Sequence, residues 1–534
     1  MYRILERDFH SKEYGNEKFL KNWPMLYILE NEQHAYIGQS TNIVGRMFQH
    51  QANEKKGFFR KAHLIYSQEF NQSVTFDYES KLIQLIAADE KYIITNGNAG
   101  IADKNYYNKE YYDKNFKNLW ESLKRKNIVK KSIDEIINSD LFKYSPYKEL
   151  NDSQREAVEE ILQSIMTNQE QPIVVNGMPG SGKTIVAVFL FKFLVDFQDE
   201  NGNYPFQNKK IALVIPQTSL RKTLKELFKH IHGLKAADVI GPSDIAKDHY
   251  DIALVDEAHR LHQRKNITNY KSHDDNNKKL GLPEDATELD WILKQVACPI
   301  MFFDQNQVVG PSGISREILR NKIKESYQDR MVTYYTLSTQ MRVKGGNNYI
   351  EYVQSILNNT ASEKKTFASY DFKLLNSFGQ FETLLKEKED QRRLCRMIAG
   401  YAWPWISKLD KTQKDIKIEG FERMWNNRTE NWVNCETALE EVGCIHSIQG
   451  YDLNYAFVIL GDDIKYDSSK DEIIIDANNY FDKKGKATTT YKELLEYIKN
   501  IYYVLMTRGI EGTYLYVTNP ELKEYLARYV DMIL

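Results

Sequence analysis

The stretch from Val174 to Thr184, VVNGMPGSGKT, has the residue types and spacing needed to hold a polyphosphate. Gly177, Gly180, Ser181 and Gly182 let the backbone curl so that its N–H groups face phosphate oxygens, and the apolar run that follows supplies a helix N-terminus behind them. Lys183 is then placed to reach the outer phosphates, and Thr184 to ligate Mg²⁺. Downstream, DIALVDE ends an apolar run in two carboxylates. Asp256 at that strand end would hold the magnesium, and Glu257 would orient and polarise an attacking water. An acidic pair in this position can also cap a following helix. Downstream of a complete phosphate loop, it reads as the second half of a site for ATP and Mg²⁺.

The elements that must position these groups are short apolar strands at 172–177, 210–216, 251–257 and 299–304, alternating with helices. Continuous apolar runs in such alternation predict a parallel sheet covered on both faces. A second alternating set follows at 372–376, 455–461, 502–507 and 513–518, all read as strands. Residues 262–290 are polar and irregular and read as a loop or insertion. In 104–148, Phe116, Leu119, Trp120 and Leu123 fall at helical spacing, which predicts a helical connector with one buried face.

A chain of 534 residues is too long for one ordinary core. Its 42% hydrophobic and 27% charged residues give a soluble globular class, and no apolar run approaches the roughly 20 residues that span a bilayer. The first residues lack the apolar core of a signal peptide, so a cytoplasmic protein with no membrane partner is expected. The four cysteines form no CxxC pair and read as free thiols. A net charge of −2 gives no whole-chain basic signal, but nucleic acid needs only a local basic groove.

The blocks from about residue 148 to the end resemble superfamily 1 helicases. LNDSQREAV resembles the motif that reads adenine, with Gln154 as base contact; FFDQNQ resembles the coupling motif, in which Asp304 and Gln305 would sense the γ-phosphate. LSTQMR offers Arg342, and YVLMTRGIEG offers Arg508, as arginine fingers. CIHSIQGYDL resembles the block that links nucleotide state to strand grip through His446, Ser447, Gln449 and Gly450. The wording of SDLFKYSPYKELNDSQ, MIAGYAWPW and the later blocks is similar to the bacterial helicase family related to the helicase part of Schlafen proteins. That resemblance implies two RecA-like domains with ATP in the cleft between them; Trp403, Trp405 and Tyr451 are candidates for base stacking, with core packing the more ordinary role for each tryptophan.

At the other end of the chain, PMLYILENEQHAYIGQ reads as a hairpin carrying Tyr27 and Tyr36, and STNIVGRMFQHQ as a helix capped by Ser40 or Thr41. Arg46 and His50 share one face of that helix, and a second helix from about Tyr78 to Ala88 carries Glu79. Two tyrosines in a hairpin are ordinary cross-strand packing when taken alone. The ordered set of Tyr27, Tyr36-Ile37-Gly38, Arg46, His50, Glu79 and Asn96 resembles the GIY-YIG nucleases, although the first motif keeps only its tyrosine.

The resemblance implies a small α/β domain around a three-stranded antiparallel sheet and a catalytic set of Tyr27, Tyr36, Arg46, His50 and Glu79, with Glu79 as metal ligand. Arg46 would neutralise charge on the phosphate, and Tyr27 would activate the water while Tyr36 positions it, with the reverse assignment as the alternative. A free tyrosine is a poor base near neutrality unless neighbouring cations lower its pKa, and Arg46 with a metal would do so.

The expected organisation is an α/β chain. Residues 1–103 form the nuclease domain, 104–148 the connector, and 149–365 and 366–534 two doubly wound RecA-like domains. The expected function is an ATP- and Mg²⁺-dependent nuclease-helicase acting on nucleic acid, DNA before RNA. The resemblance adds a setting in prokaryotic anti-phage defence with a possible partner protein. A repair nuclease-helicase, or an ATP-driven clamp with a non-cutting N-terminal module, are the alternatives.

Overall fold

The hairpin expected at the N-terminus sits at the centre of a larger sheet. In this computed structural model, residues 2–12, 14, 19–97, 106–137, 139–148, 150–167, 170–199, 202–327, 332–428, 432–448 and 451–533 are described. Strands β1 (Arg3–Asp8), β2 (Met25–Glu30), β3 (His34–Ser40), β4 (Lys61–Tyr66) and β5 (Ile93–Ile94) pair in the order β1-β4-β2-β3-β5. The central pairs are antiparallel, and β5 joins β3 in parallel. Two edge strands thus extend the expected three. Both are hard to see in sequence, because β1 is partly exposed along its length and β5 is only two residues long.

Helix α1 (Ile43–Gln51) starts at Asn42, whose side chain accepts from Gly45 N at 3.1 Å, so neither Ser40 nor Thr41 is the cap. It buries Ile43, Met47 and His50, spaced to lie on one face. Helix α2 (Gln72–Ala88) begins earlier than Tyr78 because Asn71 caps it, accepting from Val74 N at 3.0 Å. Helix α3 (Lys109–Arg125) buries Phe116, Leu119, Trp120 and Leu123, as the spacing predicts. It is tied to α2 where Tyr78 Oη donates to Tyr112 O at 2.6 Å, and Trp120 Nε1 donates to Lys131 O at 3.0 Å.

The chain divides into two compact units. The first holds Met1–Arg155, Thr184–Lys209 and Arg221–Val239; the second holds Glu156–Lys183, Lys210–Leu220 and Ile240–Leu534. In the second, β6 (Ile173–Gly177), β7 (Ile211–Val214), β8 (Tyr250–Val255), β9 (Val296–Phe303) and β10 (Thr333–Leu337) run parallel in the order β10-β6-β9-β8-β7. The phosphate loop follows β6 and Asp256 follows β8, with Asp304 after β9, the strand between them, as in a RecA-like lobe.

A second sheet contains β11 (Asp371–Leu375), β12 (Cys395–Ala399), β13 (Ile416–Ile418), β14 (Phe421–Trp425), β15 (Glu441–Gly443), β16 (Leu453–Leu460), β17 (Gly509–Val517) and β18 (Asp531–Ile533). Its order is β13-β14-β15-β12-β16-β17-β11-β18, parallel except for the β13–β14 hairpin.

Two expectations are corrected. Residues 502–507 are not a strand: Tyr502–Met506 close the helix Tyr491–Met506, which Thr490 and Glu493 cap reciprocally. They are buried throughout, and an apolar run with no exposed face does not reveal its period. Residues 262–290 are not simply a loop, since they contain the helix Tyr270–Lys279. That helix is polar yet buries His273 and Asn277, and Asn277 Nδ2 donates to Ala286 O at 3.1 Å. Among the described residues, no helix is long and apolar enough to cross a membrane.

Candidate functional sites

The β2–β3 register sets Tyr27 opposite Gly38 and Leu29 opposite Tyr36. The Tyr27 ring lies directly over Gly38, where an added Cβ would sit 2.2 Å from Oη and 2.3 Å from Cζ. The glycine of Tyr36-Ile37-Gly38 is therefore demanded by a tyrosine on the neighbouring strand. Helix α1 brings up Arg46 and His50 one turn apart. Tyr27 Oη lies 2.8 Å from His50 Nε2 and accepts from Arg46 Nε at 3.3 Å. The two tyrosine rings stack with centroids 6.3 Å apart, and His50 meets Tyr36 edge-on at 5.2 Å.

Sequence reasoning missed one member of this cluster. Lys56, in the short helical turn Glu54–Lys56, folds back so that Nζ lies 3.0 Å from His50 Nδ1 and 3.2 Å from the centroid of Tyr36. Nothing in the run Glu54-Lys55-Lys56 separates it from its exposed neighbour Lys55.

Burial, reinforced by the charges of Lys56 and Arg46, lowers the His50 imidazole to about 3, so it is neutral. Burial and Arg46 lower Lys56 to about 8. Burial raises Glu79, which is half-buried, to about 7 against the pull of Arg46 and a hydrogen bond from Gln39 N–H. Burial also raises both Tyr27 and Tyr36, and Arg46 offsets only part of this. The expected lowering of a tyrosine is thus not supplied by the chain itself, because desolvation of the phenols outweighs the guanidinium.

Asn96 sits outside this cluster. It pins the middle of β3, accepting from Ile37 N at 3.0 Å and donating to Ile37 O at 2.8 Å. Beside Arg46 a cleft of about 350 Å³ opens, lined also by Gln39, Thr41, Gln49 and Gln72. Among the described residues, no group of three or more His, Cys, Asp or Glu could enclose a metal ion. A lone carboxylate still suits Mg²⁺, which keeps waters and takes oxygens from a phosphate substrate. A half-buried carboxyl raised to about 7 is a group that a cation would relieve.

The phosphate loop turns through Gly180 (φ +80°) and Gly182 (φ +81°), both in the left-handed region that favours glycine. Gly177 leaves room for the buried Ser181, since a Cβ there would lie 2.4 Å from Ser181 Oγ. Lys183 Nζ donates to Gly177 O at 2.8 Å, to Met178 O at 3.2 Å and to Asp304 Oδ2 at 3.3 Å. Asp304 Oδ2 also accepts from Gln307 Nε2 at 2.7 Å, and Gln307 Oε1 accepts from Arg508 Nη2 at 3.5 Å.

A continuous polar chain thus links Lys183, Asp304, Gln307 and Arg508. Gln305 Oε1 instead accepts from Arg316 N at 2.6 Å. Gln307, not foreseen from sequence, takes the bridging place. Arg342 lies beside the loop, because Met341 N donates to Gly180 O at 2.8 Å, but its guanidinium pairs with Asp452.

Asp256 is buried at the end of β8, and its N–H donates to Val214 O at 3.0 Å. Glu257 follows with φ +51°, and its Oε2 lies 2.9 Å from His259 Nε2. Burial works to raise Glu257, but His259, Lys183 and Arg260 hold it below the usual carboxylate range. Thr184 is the second residue of the helix Lys183–Asp196. Gln154 is buried near the start of the helix Asp152–Thr167, where Oε1 accepts from Asn151 N at 3.2 Å. Gln449 and Gly450 lie outside the described residues. Beside them, Ser447 Oγ accepts from Cys444 N at 2.8 Å.

A cavity of about 830 Å³ in the second unit is lined by Gln217, Arg260, Tyr401, Trp405, Lys408 and His446, among others. Lys408 Nζ lies 4.9 Å over the Trp405 ring. Of the aromatic candidates, Trp405 faces this cavity. Trp403 packs against the core, and Tyr451 is buried within it.

Residues 170–519 match the family described as Schlafen group 3, DNA/RNA helicase domain, and residues 24–99 match the GIY-YIG catalytic domain. The chain is 28% identical over 390 residues to YPL245W of Saccharomyces cerevisiae (strain ATCC 204508 / S288c), covering 66% of this chain and 83% of that one. Among solved structures, unliganded Pif1 from Bacteroides sp matches at 12% identity and TM-score 0.24, covering 45% of this chain and little more than half, 56%, of that one. The Pyrococcus furiosus Hef helicase domain matches at 9% identity and TM-score 0.30, over 70% of this chain and 97% of that one.

Proposed function

Starting from the premise that this chain belongs to the Schlafen group 3 DNA/RNA helicase family and carries a GIY-YIG catalytic domain ahead of it, we propose that it cuts nucleic acid at one site and moves along or remodels it by ATP hydrolysis at the other. The observation that carries the reading is the convergence of Arg46 and His50 on the Tyr27 hydroxyl beside Tyr36 and Glu79, in a chain that also joins Lys183 to Arg508 through Asp304 and Gln307.

At the cutting site, Arg46 borders the cleft and neutralises charge as it develops on the scissile phosphate. Glu79 would hold Mg²⁺, which when bound supplies Lewis-acid polarisation of the phosphate and its water. The tyrosines position that water, and neutral His50 holds Tyr27 in place.

At the motor site, phosphate oxygens replace the Gly177 and Met178 carbonyls as partners of Lys183. Thr184 and Asp256 would hold the accompanying Mg²⁺, Gln154 the base, and Glu257 the attacking water. Arg508, reached through Gln307, stabilises charge on the transferred phosphoryl group, as does Arg342 once it leaves Asp452. The 830 Å³ cavity, with Arg260, Lys408 and Trp405, suits the backbone charge and base faces of a single strand.

DNA is the preferred substrate, RNA the second; anti-phage defence in the cytoplasm is the setting that the Schlafen-related resemblance suggests. The segments 1–103, 104–148, 149–365 and 366–534 are proposed as the working parts. A clamp with a non-cutting N-terminal module is the second reading, favoured by the raised phenols of Tyr27 and Tyr36.

The test is incubation with single-stranded, duplex and forked DNA and with RNA, in Mg²⁺, with and without ATP. Cleavage lost in Glu79→Ala supports the proposal. Absence of cleavage by the wild type on every substrate removes it and leaves the clamp.

A further inference from the structure

The proton positions in the tyrosine cluster follow from the donors around it. Lys56 Nζ is 3.0 Å from His50 Nδ1. Below pH 8 Lys56 is mainly an ammonium, with three donors and no acceptor, so Nδ1 must accept. The imidazole is neutral, and a neutral ring that accepts at Nδ1 carries its proton on Nε2. That nitrogen is 2.8 Å from Tyr27 Oη and therefore donates to it. Arg46 Nε donates to the same oxygen at 3.3 Å.

Neither neighbour can then receive the hydroxyl hydrogen of Tyr27, which must point elsewhere. The Tyr36 ring is stacked beside it, with centroids 6.3 Å apart. The charged groups facing the cluster are Arg46 from α1, Lys56 from the following turn and Glu79 from α2. None of the hydrogen bonds described joins Glu79 to Tyr27 or His50.

We propose that Lys56 is a positioning residue of the cutting site: it locks His50 as the Nε2–H tautomer, which makes the Tyr27 oxygen a double acceptor and turns its hydroxyl hydrogen away from His50 and Arg46. Both donors in the series point the same way, from Lys56 to His50 and from His50 to Tyr27. Tyr27 then organises the site, consistent with its complete burial, while its neighbour Tyr36 is half-buried. The inference rests on the nuclease reading for its purpose but not for its measurement.

The experiment is long-range ¹H–¹⁵N spectroscopy of the full chain labelled at histidine, with His50 assigned through His50→Gln. The wild type should show the Nε2–H tautomer at His50. Lys56→Met keeps an aliphatic stem over Tyr36 and removes the donor, so His50 should move toward Nδ1–H, and Lys56→Arg should restore it. Cleavage by Lys56→Met should lose about tenfold or more in kcat, with KM little changed.

An Nδ1–H or imidazolium form in the wild type overturns the inference. So does a tautomer unchanged in Lys56→Met, or one that moves while kcat stays at the wild-type value. The expected tautomer in a wild type that cuts no substrate would remove the nuclease reading and leave the Lys56–His50 assignment standing.

Discussion

Metal binding at the cutting site should release a proton, in an amount that Glu79 sets. Burial holds this carboxyl at about 7 in the metal-free chain, above the ordinary 4.5. At pH 6 about nine-tenths of Glu79 is therefore protonated, and at pH 8 about one-tenth. A divalent ion needs the carboxylate, so binding should expel about 0.9 proton at pH 6 and about 0.1 at pH 8. Apparent affinity should be about tenfold weaker at the lower pH and level off above neutrality.

The sign for stability agrees. The folded state holds this proton more tightly than the unfolded chain, so the contribution of Glu79 to folding is full below pH 4.5 and is lost as pH rises through about 7. Titration calorimetry in two buffers of different ionisation enthalpy, without nucleotide, counts the protons. Glu79→Gln should bind the ion weakly and release none. Proton release independent of pH, or equal release from Glu79→Gln, would refute the reasoning.

Gly38→Ala should act through Tyr27. The new Cβ would lie 2.2 Å from Oη, so the ring must leave His50 and Arg46, costing about 1–3 kcal/mol of stability and much of the cleavage rate. In a Tyr27→Ala background, where the ring is absent, Gly38→Ala should cost little further stability in denaturant titration. Arg508→Ala should lower ATP turnover by about 10³-fold or more while fluorescent nucleotide still binds, because the guanidinium joins the Lys183–Asp304 pair through Gln307 rather than touching the phosphate loop's lysine itself. Trp405→Ala should weaken single-strand binding by about 1–3 kcal/mol in fluorescence anisotropy; unchanged affinity would place the strand outside the 830 Å³ cavity.

Groups that lie within one turn or at one strand end were legible in the sequence, because their spacing is itself the geometry. The loop from Gly177 to Thr184, the Asp256–Glu257 pair and the face shared by Arg46 and His50 are of this kind. Groups that fold back from elsewhere were not. Lys56 looks no different from Lys55 until the turn after α1 brings it onto His50, and Gln307 looks no different from Gln305 until Arg508 arrives from another sheet. Asp452 gave no sign that it would hold Arg342. The same limit explains the misread helix at Tyr502–Met506, where burial on all sides erased the periodicity. The glycine of Tyr36-Ile37-Gly38 was visible as a motif, but its reason lies on the opposite strand.

The most direct test of two active sites in one chain is to follow both products in one tube. An end-labelled forked DNA is mixed with ATP and Mg²⁺, and cut strand and inorganic phosphate are read together for wild type, Glu79→Gln and Lys183→Ala. The account predicts that Glu79→Gln releases phosphate but no cut strand, and that Lys183→Ala releases no phosphate above background. Cut strand from Glu79→Gln at the wild-type rate, or phosphate from Lys183→Ala, would contradict it.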